Sequence, residues 1–151
     1  MKVREGDLLH LAEDGAFDVI VHGCNCFHTM GAGIARAIAA RFPAALEADR
    51  ATPHAARSKL GTYSHADVTV AAGPLTIVNA YTQYRWGGRG RQADYEAIDG
   101  AFAAIARDFA TRRIGYPLIG AGLAGGDWDV IEGIIRRRLD GLDHTLVRWT
   151  G

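Results

Sequence analysis

Little in this chain offers covalent or membrane anchoring. It has two cysteines, Cys24 and Cys26, with one residue between them. They are too close to staple a fold, so a reduced compartment is expected. No apolar run approaches the roughly 20 residues of a membrane-spanning helix. The opening Met1-Lys2-Val3-Arg4-Glu5-Gly6-Asp7 has no apolar stretch of signal-peptide type. A soluble, cytoplasmic protein with no membrane partner is the expectation. Excess charge is also missing: 17 Lys plus Arg balance 17 Asp plus Glu. That argues against general nucleic-acid binding, although a local patch can still dock on one modified nucleic-acid end. No linker, charge block or repeat divides the 151 residues, so one domain over 1–151 is expected. What is present is a hydrophobic fraction of 48%, enough for a core, and 19 glycines.

Hydrophobic patterning predicts alternating strands and helices. A short strand precedes Asp7, which accepts a hydrogen bond from a ligand or caps a turn. Phe17 to Val21 reads as a buried strand. Ile34, Ile38 and Phe42 mark one helical face, and Pro43 breaks it. Ala44 to Ala51 forms a further helix, and Thr52 to Lys59 a surface loop. Gly61 to His65 and Val68 to Ala72 are expected as a hairpin or two strands, and Leu75 to Thr82 as another. Asp94 to Thr111 is the clearest helix, with Tyr95, Ile98, Phe102, Ile105 and Phe109 in a stripe. Ile114 to Ile119 is a strand, Asp127 caps the helix bearing Ile131 and Ile135, and Thr145 to Trp149 closes the chain as a strand. The fold class is α/β, with helices on both sides of a mixed, largely parallel sheet.

Two segments share an order of buried strand, glycine loop and helix. One runs from Val19 through Gly31-Ala32-Gly33-Ile34, the other from Tyr116 through Gly120-Ala121-Gly122-Leu123-Ala124. Glycine lets backbone approach a ligand closely, and free amides at a helix start attract anions. Two such loops at strand ends suit a diphosphate; the plainer alternative is a pair of tight turns. The P-loop signature is absent, and the first loop has only part of a dinucleotide fingerprint. His22 ends a strand and is a candidate proton carrier. Asn25 offers donor and acceptor to sugar hydroxyls, or simply forms a turn. His22, Cys24, Cys26 and His28 alternate, but along an extended strand such residues lie roughly 6.6 Å apart. Four zinc ligands from seven residues are too crowded, so no metal is expected. Arg85, Trp86, Arg89 and Arg91 occupy a glycine-spaced loop, either covering an anion or solvated.

These motifs together resemble the macrodomain family, the ADP-ribose-binding module with a three-layer α/β/α fold, over nearly the whole chain. Gly6-Asp7-Leu8-Leu9 is similar to the family's early motif, whose Asp meets the adenine amino group. His22-Gly23-Cys24-Asn25 occupies the place of its Asn-Ala-Ala-Asn motif, and Gly31 to Ala35 and Gly120 to Gly125 match its two phosphate loops. The resemblance implies that Asp7 and Leu8 meet adenine and that Asn25 holds the distal ribose. It assigns the diphosphate to Gly31, Ala32, Gly33 and Ile34 with Gly120, Ala121, Gly122, Leu123 and Ala124. No cofactor is implied. The segment from Ile20 to Cys26, with Phe42-Pro43, looks most like the branch of the ADP-ribose 1″-phosphate phosphatases, in which a His at the place of His22 is catalytic. Gln83 and Ala124 stand where another branch has its Lys and Asp, and Ala35 where a third has an Asp. Asp127 and Asp129 lie near the second loop, as carboxylate sources or helix caps. The alternatives are removal of ADP-ribose from modified protein or nucleic acid, and a non-catalytic ADP-ribose reader. Arg148 and Trp149 lie where the family places an adenine-stacking aromatic.

Overall fold

A computed structural model of the chain describes residues 1–150. Six strands form one sheet: β1 (Lys2–Glu5), β2 (Val19–Cys24), β3 (Tyr63–Val70), β4 (Gly73–Tyr81), β5 (Ile114–Tyr116) and β6 (His144–Arg148), in the order β1-β6-β5-β2-β4-β3. All neighbours are parallel except β3 and β4. The mixed, mainly parallel sheet matches the expectation. Helices α1 (Leu8–Glu13), α2 (Gly33–Arg41) and α3 (Pro43–Arg50) pack on one face, and α4 (Tyr95–Asp108) and α5 (Trp128–Arg138) on the other.

Strand alternation divides the core between those faces. Val19, Val21, Val78 and Ala80 meet Ile98, Phe102, Ile131 and Ile135 of α4 and α5. Ile20, Leu75 and Ile77 meet Leu8, Leu9, Ile38 and Ala45. Phe102 is fully buried and meets Tyr116 edge-on at 6.0 Å. Its truncation to Ala would cost about 3–5 kcal/mol. The break between α2 and α3 follows from Phe42-Pro43: the residue before proline is pushed out of helical geometry, and proline suits a helix's first position.

Three local expectations need correction. The Asp7 turn opens a short helix, α1, whose six residues are too few to show a period. The segment around 61–72 forms one strand, paired to β4 from Tyr63↔Ala80 to Val70↔Gly73. Asp67, between the two expected segments, accepts from Thr76 Oγ1 at 2.7 Å within the pairing. β5 stops at Tyr116, because Pro117 has no N–H for the ladder. Among the described residues, no helix is long and apolar enough to cross a membrane.

Candidate functional site

Five segments leave the carboxyl ends of the parallel strands, where open α/β sheets gather ligands. In sheet order they begin with Gly6 and Asp7 after β1, then Trp149 after β6. The second glycine loop follows after β5, the first after β2, and residues 82–94 after β4.

The helix starts distinguish the first glycine loop. Aspartates cap α1, α4 and α5: Asp7, Asp94 and Asp127 accept from amides of the first turn. The N-cap of α2 is Ala32, which has no such group. Among the described residues, the amides of Gly31, Ala32, Gly33 and Ile34 donate to nothing. The same holds for Gly122, Leu123 and Ala124 in the second loop. Gly31, Gly33 and Gly122 have open space where a side chain would stand. Two clusters of unspent donors thus lie at the ends of adjacent strands β2 and β5. An anion would satisfy them with charge-assisted bonds.

The second loop is braced from below. Gly126 N–H donates to Gly120 O at 2.7 Å, and Gly120 adopts φ +73°. A Cβ on Gly126 would fall 2.6 Å from that oxygen and 2.8 Å from Ile131 Cδ1. Ala124 is buried, and its carbonyl accepts from Gln92 and Ala93 N–H at 2.8 and 3.1 Å. Those bonds fasten the 82–94 segment to the second loop. Leu123, by contrast, is 85% exposed.

His22, the candidate proton carrier at the end of β2, does not line the crevice: the residue is 0% exposed. Its parity follows Ile20, so it enters the layer under α3. There Nε2 lies 2.6 Å from Asn79 Oδ1. Asn79 Nδ2 in turn donates to Ala45 O and Ser64 Oγ. Ser64 Oγ lies 2.8 Å from the Tyr81 hydroxyl, which donates to Asp49 at 2.7 Å. Because Asn79 presents its carbonyl oxygen, His22 is the Nε2–H tautomer. Burial pushes its pKa down, against the opposing effects of Asn79 and Asp49, so the ring is held neutral. Cys24 Sγ lies 3.6–3.8 Å from the ring, and burial pushes the thiol pKa up. Cys26 is turned to Gln83 O at 3.6 Å. The polar residues Asn79 and Tyr81, embedded in an apolar strand, were the sequence signal for this network, as was Asp49 on its helix.

Asn25 and Asp7 are shaping elements as well as candidate ligands. Asn25 Oδ1 accepts from Phe27 N–H and Thr29 Oγ1, while its Nδ2 donates to Thr29 O. The turn reading therefore holds, with one amide hydrogen left over. Asp7 Oδ1 accepts from Leu9 and His10 N–H at 2.9 and 3.2 Å. Leu8 is buried in the core under the sheet. Gly6 N–H donates to Arg148 O at 2.9 Å, which brings Asp7 beside Trp149, 75% exposed. Asp127 accepts from Asp129 N–H at 2.9 Å and serves α5 as a cap.

Comparison with known proteins agrees with this architecture. The family model described as Macro domain matches residues 21–135. An uncharacterized 17.5 kDa protein of Enterobacteria phage T4, from the tk-vs intergenic region, is 35% identical over 99% of this chain and 96% of its own. The macrodomain of Mycobacterium tuberculosis DarG superposes with TM-score 0.73 at 24% identity, covering 96% of both chains. Thermosipho africanus DarTG in complex with ADP-ribose gives 0.72 at 14% identity, over 98% of this chain and 42% of that one.

Proposed function

The chain belongs to the macrodomain family, and on that premise we propose that it binds ADP-ribose or an ADP-ribose derivative along the carboxyl ends of its strands. The observation that carries this reading is the pair of unspent amide clusters at Gly31 to Ile34 and Gly122 to Ala124. They are donors suited to a diphosphate. Asp7, with the Leu8 backbone and the exposed indole of Trp149, takes the adenine. The remaining Asn25 amide hydrogen takes a hydroxyl of the distal ribose.

Hydrolysis of ADP-ribose 1″-phosphate, the finer expectation, rested on His22 as the reacting group. The ring has no exposed surface and is joined to Asn79, which supports a positioning role in which it holds β2 against β4 beneath the first loop. We therefore assign binding to the two loops and no proton transfer to His22. Calorimetric titration with ADP-ribose, with AMP as control, tests the reading. Binding of ADP-ribose well above AMP is expected, and His22→Ala should lower stability more than affinity. No heat at protein concentrations near a millimolar would return both loops to the status of turns. Turnover of ADP-ribose 1″-phosphate that vanishes in His22→Ala, with binding retained, would restore the catalytic assignment.

A further inference from the structure

The two edges of the sheet are built differently. β1 has four residues, and its Lys2, Arg4 and Glu5 are all exposed. Short, charged edges of that kind resist pairing with another chain. β3, at the other edge, runs eight residues with no proline, lysine or arginine. Its register with β4 is unbroken from Tyr63↔Ala80 to Val70↔Gly73, so no bulge bends it away.

The phase of that ladder fixes which groups of β3 are free. Tyr81 N–H donates to Thr62 O at 2.9 Å, and antiparallel pairing alternates from there. Ser64, Ala66, Val68 and Val70 therefore bond β4. The N–H and C=O groups of Tyr63, His65, Asp67 and Thr69 point out of the sheet. Among the described residues, no other backbone group bonds them. Neighbouring side chains steady this edge. The Tyr63 hydroxyl donates to Asp108 at 2.6 Å, and the Phe109 ring lies 5.7 Å from Tyr63 and 6.5 Å from His65. Asp67 Oδ1 is held by Thr76, which leaves Oδ2 free, 3.9 Å from His65 Nε2. Both side chains are largely in solvent, His65 at 48% and Asp67 at 74%.

We propose that β3 pairs antiparallel with β3 of a second copy of this chain, about a twofold axis at Ala66. The axis stands perpendicular to the sheet, so each residue keeps its face. His65 then lies opposite the partner's Asp67, and Tyr63 opposite the partner's Thr69. These are the positions whose backbone groups point outward, so all of them are satisfied. Imidazole and carboxylate alternate around the axis, each histidine N–H having a carboxylate to donate to. Opposite charges and aromatic–β-branched pairs facing each other stabilise antiparallel strands. Moving the axis by one residue sets Asp67 against the partner's Asp67, or His65 against the partner's His65. The charges thus select one register. A foreign peptide could use the same backbone groups, but the order His65-Ala66-Asp67 is complementary to itself. The interface is isologous and closes at two copies. It lies at the edge opposite Asp7 and is independent of what the glycine loops bind.

Sedimentation equilibrium of the full chain, from about one micromolar to one millimolar, measures the association. The mass should rise from one chain toward two. Residue-resolved hydrogen exchange should show the amides of Tyr63, His65, Asp67 and Thr69 becoming protected with concentration. In His65→Asp and in Asp67→Lys, two attractive pairs become two repulsive ones. Each variant alone should raise the dissociation constant at least about 4-fold. An equimolar mixture of the two should dimerise again, because every opposed pair is then of opposite charge. That rescue also shows that both variants are folded, and both should keep the wild-type affinity for ADP-ribose. A single-chain mass at one millimolar would leave the edge to solvent or to another protein and overturn the proposal. So would a dimer in which those four amides exchange as in the monomer, or a mixture that stays monomeric.

Discussion

Two alanine substitutions four residues apart, Gly122→Ala and Gly126→Ala, should fail in opposite ways. At Gly126 a methyl would stand 2.6 Å from Gly120 O, 2.8 Å from Ile131 Cδ1 and 3.1 Å from Ala93 Cβ. Two of those neighbours are backbone and a packed core residue, so the loop itself must open. Overpacking of this kind costs about 1–3 kcal/mol. For a domain of this length each kcal/mol moves the melting temperature by about 2–4 °C, which gives a fall of roughly 2–12 °C. At Gly122 no atom lies within 4 Å, and φ is not positive. Alanine fits there, and a less flexible unfolded chain adds about 0.4–1 kcal/mol of stability. The methyl nevertheless stands among the three unspent amides. Displacing one charge-assisted hydrogen bond, at about 1.5–3 kcal/mol, should weaken ADP-ribose binding by roughly 10- to 150-fold. Thermal unfolding and calorimetry on both variants separate these effects. Gly133→Ala, in open space on α5, is the control and should leave affinity untouched. Wild-type affinity in Gly122→Ala would refute the assignment of these amides to the ligand.

Acid should unfold the domain through its buried histidines. His144 is 4% exposed, stacked on Tyr116 with Nδ1 2.7 Å from that hydroxyl, and burial lowers its pKa to about 4. Because the folded value lies below the unfolded value of about 6.5, the contribution is present above pH 6.5. It is lost as pH falls toward 4, up to about 3 kcal/mol. His22, also lowered by burial, acts in the same direction; His144→Gln should flatten the pH dependence of urea midpoints, and an unchanged profile would contradict this account. Asn79→Ala removes the acceptor of the buried His22 N–H and two bonds to Ala45 and Ser64. A loss of about 2–4 kcal/mol in urea unfolding is expected. Thr82 Oγ1 is buried without a partner among the described residues. Thr82→Val, of the same shape, should raise stability by about 1 kcal/mol, and a fall in urea midpoint would show that the hydroxyl is used.

Local chemistry was legible in the sequence because it acts between near neighbours. Phe42-Pro43 sets the break between α2 and α3, Asp127 caps α5, and the apolar stripe of α4 follows its period. The absence of a capping side chain at Gly31-Ala32-Gly33 is likewise written in the chain and leaves its amides free. The tertiary structure decided which side of the sheet each strand residue enters. A residue's parity is visible in the sequence, but the helices that cover each face are brought there by distant parts of the chain. His22 therefore reads as a crevice residue and lies under α3, joined to Asn79, Ser64, Tyr81 and Asp49. The same long-range assembly set Phe27 beside Trp86 and fastened the 82–94 segment to the second loop. Sequence supplied the donors, while strand order supplied the line on which they stand.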